Sequence, residues 1–266
     1  RFCCACLMAL LQTGLAKSLA EDYTIDQSLR FDDGDSPKLS RTNVGGSAST
    51  KFTYSAWIKR GELSDSGTNR IFSAVNSPYD THFRFNGSDQ LSISDDQTTG
   101  YLTTKRVFRD PSAWYHIVVT YDSEQVTASD RLNLYVNGVL ETEFDPNSYP
   151  TQDQVDYATA PGTVISISSN GSAQYWDGYF AEVYFIDGTA YAASDFGETD
   201  TTTNQWKPID ASGLTFGTNG FYQKYASTEL ANSFFDSGNG GRHVVTANGG
   251  AHTDTAVKKF GTASAQ

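Results

Sequence analysis

The chain has 266 residues, and its 31 Asp and Glu against 19 Lys and Arg give a formal charge of −12. That balance argues against a nucleic-acid partner, whose phosphates demand Lys and Arg. Aromatic residues make up 13%, with 23 Gly and abundant Ser and Thr, which favours strands and turns over helices. Cys3, Cys4 and Cys6 crowd the N-terminus. They provide no disulfide framework for the body, and no second Cys or His cluster completes a tetrahedral metal site.

In chain order, the first segment is helical in pattern. Leu7, Leu10, Leu11 and Leu15 recur at helical spacing. The stretch also has the outline of a secretory leader: Arg1, an apolar run from Phe2 to Leu11, then Ser18-Leu19-Ala20. The run is too short to span a bilayer, which needs about 20 apolar residues. The preferred reading of residues 1–25 is a short amphipathic helix that orders against another subunit, with a retained leader as the alternative.

A strand-rich body is expected over residues 26–233. Ser28–Phe31 reads as a strand, followed by the acidic turn at 32–36. In Lys51–Arg60, Phe52, Tyr54, Ala56 and Ile58 alternate with Thr53, Ser55, Trp57 and Lys59. Ile71–Val75 is another strand, and His82–Ser94 reads as a hairpin turning at Asn86-Gly87. Val107–Pro111 reads as a connector. Trp114–Phe144 reads as a three-strand meander. Tyr115, Ile117, Val119 and Tyr121 share one face, then Leu132, Leu134 and Val136, then the return strand Val139–Phe144. Asn137-Gly138 between them is the strongest short hairpin signal, because a type I′ turn needs φ > 0 at both central residues. Asp145–Gly162 reads as a loop, Val164–Ser168 as a strand, and Tyr175–Gly188 as a central strand, apolar on both faces. Ala192–Phe196 suits one helical turn and Gly220–Tyr225 a last strand. Many short strands with turn signals predict an all-β antiparallel sandwich or jelly roll.

The order SLRFDDGDSPKLS, FTYSAWIKR, IFSA, WYHIVVTYD with LYVNGVLE, and WDGYFAEVYFIDG resembles the laminin-G-like and pentraxin-like branch of the concanavalin A-like lectin/glucanase superfamily. FRDPSAWYHIVVTYDS (108–123), the wording of 127–138, YFAEVYFIDGTAYAASDFGE (179–198) and FGTNGFY (216–222) resemble virion proteins of marine bacteriophages. The resemblance implies a concanavalin A-like sandwich acting as a virion surface protein: a tail fibre, a tail-associated adhesin or a capsid decoration. Its partners would be other virion proteins, its own copies or host surface glycans. The alternative is a lectin module for host attachment, and a glycoside hydrolase is disfavoured. Fold sets none of these roles, since this fold hosts lectins, glycosidases and scaffolds alike.

Candidate site residues follow from chemistry. Glu141, Glu143 and Asp145 share one strand face as catalytic acids can, but Glu141 and Glu143 would stand about 7 Å apart on an extended strand, against about 5–5.5 Å for retaining hydrolysis. A solvent face explains them as well. Asp32, Asp33 and Asp35 offer the oxygen ligands that Ca²⁺ takes, and an Asp-Gly turn accounts for them equally. Asp177 and Asp187 are weaker metal candidates. Tyr79, Tyr149, Tyr157 and Trp176 lie near expected loops, where aromatics can stack on sugars, although core packing consumes most aromatics. His82, His116, His243 and His252 show no ligand spacing, and His116 reads as a satisfied structural residue. No nucleophile elbow or phosphate loop is present. Residues 234–266, with DSGNGGRHVVTANGG and KKFGTA, resemble the lead-in of a laminin-G-like repeat and are expected to open a second, truncated copy; a strand completing the first sandwich is the alternative.

Overall fold

The computed structural model describes residues 23–63, 69–95, 100–225, 233–237, 244–248 and 252–254. The expected N-terminal helix, its leucines and the three cysteines lie outside them. In chain order the strands are β1 (Ser28–Phe31), β2 (Lys38–Thr42), β3 (Lys51–Arg60), β4 (Asn69–Asn76), β5 (Tyr79–Phe85), β6 (Gln90–Ser94) and β7 (Tyr101–Val107). They continue as β8 (Trp114–Asp122), β9 (Leu132–Val136), β10 (Val139–Leu140), β11 (Phe144–Ser148), β12 (Val164–Ile167) and β13 (Gly178–Asp187). The last are β14 (Gly197–Thr199), β15 (Trp206–Pro208), β16 (Phe221–Gln223), β17 (Ser233–Phe235), β18 (Val244–Asn248) and β19 (His252–Asp254).

Two antiparallel sheets face each other. The eight-stranded sheet runs β10-β9-β8-β3-β13-β1-β19, with β16 also pairing β13. The nine-stranded sheet runs β11-β7-β6-β5-β4-β12-β2-β18-β17. Between them lies the main core. Phe52, Tyr54, Ala56 and Ile58 meet Phe72, Phe83, Phe85 and Ile93, all buried. The period-2 patterns of β3 and β8 put these side chains on one face, as expected. Ring pairs such as Phe52 on Tyr121, 5.0 Å apart and nearly parallel, add about 0.5–1.5 kcal/mol each beyond their buried area.

β13 is the central strand its double-sided apolarity predicts. It pairs β3 on one side and β1 on the other. Its second apolar face is covered by a layer formed from residues 189–222. Val118, Tyr184 and Ile186 pack there against Ala193, Phe196, Ala211 and Phe216. Beside them, Ile25 packs on Trp57 and Ala181, and Tyr23 joins the same group. Residues 23–25 therefore dock on their own body, while the remainder of the segment expected to order against another subunit lies outside the described residues.

The Asn137-Gly138 turn forms as predicted, with φ of 50° and 77°. The return strand is shorter than expected. Only Val139 and Leu140 pair with β9. The chain then crosses to the other sheet, where β11 pairs β7. There Glu141 pairs with Arg106 at 2.7 Å and Glu143 with Lys105 at 3.2 Å.

The second hairpin forms, but not with a two-residue turn at Asn86-Gly87. Residues 86–89 make a four-residue connection in which Asp89 is the left-handed residue, φ 61°. The reason lies in register. A two-residue turn would set His82 opposite Leu91 and bury a polar side chain against an apolar one. The observed register pairs His82 with Ser94 and Phe83 with Ile93. A slip of an odd number of residues would reverse the faces.

Several strands escaped sequence reading, among them β2, β7, β14, β15 and β11, which lies in the stretch read as a loop. β7 fills a stretch to which sequence reading assigned no element and meets the expected connector only at Val107; its hydroxyl-rich sequence, YLTTKRV, alternates weakly. β2 carries only one aliphatic residue, Leu39. The C-terminal expectation is overturned. Val244–Asn248 pairs β17 on one side and β2 on the other, within its own chain, and β19 pairs β1. The segment closes this sandwich, as the free edges of β2 and β1 dictate, and does not open a second repeat.

Candidate functional site

The outward face of the nine-stranded sheet is built from polar residues that alternate with core residues along each strand. Cross-strand register aligns them into two rows. The first runs Ser40, Ser166, Ser73, His82, Ser94, Tyr101 across β2, β12, β4, β5, β6 and β7. At about 4.8 Å per strand it spans about 24 Å. The second runs Arg70, Arg84, Ser92, Thr103 across β4 to β7. Residues directly opposite in register share a face.

Small hydroxyl residues form the floor. Ser73, Ser92, Ser94, Thr103 and Ser166 are buried. Ser92 and Thr103 share a hydrogen bond of 2.9 Å, and Ser73 donates to the Ser169 carbonyl at 2.6 Å. Longer side chains stand on this floor. Arg70 donates to both oxygens of Asp80 at 3.0 Å and, through Nε, to Gln174 at 2.7 Å. His82 Nδ1 lies 3.0 Å from the Asp80 carbonyl oxygen and 3.4 Å from its carboxylate. Donation from Nδ1 leaves Nε2 of the neutral ring as an acceptor. That Nε2 is buried and without a partner, and so is the Nε donor of Arg84.

Tyr101 closes the cluster. Burial pushes its phenol pKa up, but hydrogen bonds with Thr103, Ser92 and Arg84 and the charge of Arg84 outweigh this and hold it below the usual value. Burial lowers the Arg70 pKa, Asp80 opposes this, and nearby Arg84 lowers it further. Asp80 loses solvation, yet His82 and Arg70 together hold its carboxyl below the usual range. The face thus holds an unpartnered ring nitrogen, a guanidinium whose Nε is unpartnered while it also bonds Tyr101, and several hydroxyls. A polyhydroxylated ligand needs that mixture, because each of its hydroxyls both donates and accepts.

The expected sugar-stacking residues are placed elsewhere. Trp176 is fully buried beside Phe85 and Phe180. It has no free face for a sugar ring, so that expectation is corrected. Tyr149 is partly buried against the edge of the main core. Tyr79 and Tyr157 come together as a stacked pair, 4.3 Å between centroids and 7° apart. Each uses one ring face on the other.

Of the expected calcium ligands, Asp32 and Asp33 approach Asp177, with carboxylate oxygens within 4.8 Å of one another. Asp35 is not in this group; it ends the short 3₁₀ turn that Asp32 caps by accepting from Gly34 N. The fit to a divalent cation is poor. The buried member, Asp177, already accepts from Arg30 at 2.9 Å, and the same guanidinium lies 4.0 Å from Asp32. As built, this is an ion-pair cluster. Asp187 accepts from Asn219 N at 3.0 Å in a turn.

Glu141 and Glu143 each face their own cation rather than each other. His116 is structural, as expected. Its Nδ1 accepts from Trp206 Nε1 at 2.9 Å, so the neutral ring carries its proton on Nε2, which faces Ser55 Oγ at 2.8 Å. In that tautomer it donates to Ser55 and cannot act as its base.

Sequence reading missed the outward face. Its signal is the alternation in HFRF and LSIS, which within one strand looks like an ordinary solvent face.

Residues 32–195 match the family model of the Concanavalin A-like lectin/glucanases superfamily. The chain belongs to this superfamily. Among solved structures it is similar to the native heptameric SAP-like pentraxin from Limulus polyphemus, at 16% identity and a TM-score of 0.46, covering 70% of this chain and 93% of that one. It is also similar to domains LG4-5 of the mouse laminin alpha1 chain, at 8% identity and a TM-score of 0.42, over 62% of this chain and 42% of that one. A third is the Ruminococcus gnavus IT-sialidase CBM40 bound to alpha2,3 sialyllactose, at 12% identity and a TM-score of 0.37, over 53% and 86% of the two chains. No curated protein matches the chain. The family match, together with the two antiparallel sheets, carries the assignment.

Proposed function

We propose that this superfamily member is a saccharide-binding module whose ligand lies on the outward face of the nine-stranded sheet, over His82, Arg84 and Tyr101. One observation carries the reading: His82 Nε2 and Arg84 Nε are both buried without a partner, and they stand two residues apart on the same face of β5. A buried polar group left unpaired costs about 1–3 kcal/mol. Two of them side by side, over a floor of hydroxyls, suit a ligand that supplies the missing partners. Lectins within the superfamily support the class of ligand. The module works by retention rather than turnover. The setting proposed with it is the virion surface, as a tail fibre, adhesin or capsid decoration, alongside other virion proteins or further copies of itself. The phage-like wording of residues 108–123, 179–198 and 216–222 supports that setting.

Isothermal calorimetry against a panel of neutral and acidic oligosaccharides tests the binding. At least one should bind, and His82→Ala should weaken it without changing the urea midpoint greatly. If no saccharide binds, or if binding survives both His82→Ala and Arg84→Ala, the reading fails. Peptides of this chain in purified phage particles test the setting, and their absence from particles of the encoding phage would reject it.

A further inference from the structure

We infer that the saccharide is anionic, a uronate or a sulfated sugar, with its oxyanion against the guanidinium of Arg84. This rests on the saccharide reading and names its ligand class. The argument begins from the other arginines. In a chain of net charge −12, cations readily find carboxylates. Arg30 pairs with Asp177, Arg60 and Arg109 with Asp89, Arg70 with Asp80, and Arg106 with Glu141. Arg131 instead donates to three backbone carbonyls, those of Gln125, Val126 and Pro150. Arg41 lies in the field of Asp236 and Asp187.

Arg84 shares with Arg41 and Arg131, among the described residues, the lack of an ion pair, but it faces another arginine in register. Among the described residues no carboxylate lies within ion-pair distance of it. Its register partner on β4 is Arg70, a like charge, an arrangement that destabilises a sheet. Among the described residues the acid beside this pair, Asp80, gives both oxygens to Arg70 and also faces His82. Tyr101, on the neighbouring row, hydrogen-bonds the same guanidinium and supplies no negative charge to it. Among the described residues the arrangement therefore lacks one negative charge. A guanidinium fork holds a carboxylate or sulfate by paired, charge-assisted hydrogen bonds. Two positions along β5, about 7 Å away, the free Nε2 of His82 accepts from a hydroxyl of the same or the adjoining sugar.

The test titrates the full chain with three probes of matched length: oligogalacturonate, a sulfated galactan oligosaccharide and a neutral β-glucan oligosaccharide. Inorganic polyphosphate serves as a charge-only control. The expected result is binding of the uronate or the sulfated probe that weakens with added NaCl. Arg84→Gln should reduce it about tenfold or more, the effect of losing one charge-assisted hydrogen bond. Arg84→Lys should restore part of the loss, and near-equal urea midpoints would show that both variants fold. Binding of the neutral probe as tightly as the charged ones, or anionic binding indifferent to Arg84→Gln, overturns this inference and leaves the saccharide reading intact. Polyphosphate binding as tightly as either charged sugar, or binding to none of the sugars, overturns the saccharide reading and the inference with it.

Discussion

Gly138 occupies the one place where the chain's best hairpin signal meets its outer apolar layer. Its φ is 77°, and a Cβ built there would lie 2.4 Å from the ring of Trp206. Gly138→Ala thus carries two costs. A left-handed backbone costs an L-residue about 1–2 kcal/mol, and overpacking against a fixed ring adds about 1–3 kcal/mol. Trp206 is not free to swing aside, because its Nε1 donates to His116 Nδ1 at 2.9 Å and His116 stacks on Trp57. The expected loss is about 2–5 kcal/mol. Gly162 provides the control: its φ is 82°, with nothing within 4 Å of an added Cβ. Gly162→Ala should cost only the backbone share, about 1–2 kcal/mol. Urea unfolding of both variants, monitored by tryptophan fluorescence, measures the difference. Equal losses would refute the packing of Trp206 on the turn. A loss that persists undiminished for Gly138→Ala in a Trp206→Ala background would refute it too.

Three further outcomes follow from the same geometry. Asp89→Ala should cost about 3–5 kcal/mol, because Arg60, with a fully buried side chain 2.9 Å from Asp89, keeps its charge without that carboxylate; a loss no larger than that of the exposed Glu143→Ala would reject the pair's importance. Burial raises the pKa of Glu182 despite hydrogen bonds from Tyr222 and Tyr184, so this group's contribution to stability is full below its unfolded value, about 4.3, and is lost as pH rises through the folded value. Glu182→Gln should therefore gain stability relative to the parent as pH rises above about 4.3, and urea midpoints that stay parallel as pH rises would refute it. Millimolar calcium, the range of weak extracellular sites, should leave the parent's melting temperature unchanged but raise that of Arg30→Met, where Asp177 no longer carries a guanidinium; a shift in the parent equal to that in the variant would show that Arg30 does not compete.

The sequence by itself determined the fold class, the strong strands and one turn. The alternation in Lys51–Arg60 and Trp114–Asp122 is a local property, and it assigns each side chain to a face without knowledge of the partner strand. Asn137-Gly138 dictated its own positive φ values for the same reason. The double-sided apolarity of Gly178–Asp187 announced a strand covered on both faces, though not by residues 189–222. Only tertiary structure decided who stands next to whom. His82 reaches Ser94 because residues 86–89 form a four-residue turn, and Tyr101 joins them through a strand whose sequence barely alternates. Trp176 reads like a loop-tip aromatic, yet the chain after β12 folds its ring into the core. Val244–Asn248 reads like a new beginning, and the edge of β2 captures it. Face is written along one strand, within a period of two residues. Neighbours depend on register between strands, which turns, bulges and free edges set at long sequence separation, and the saccharide face is a row of neighbours.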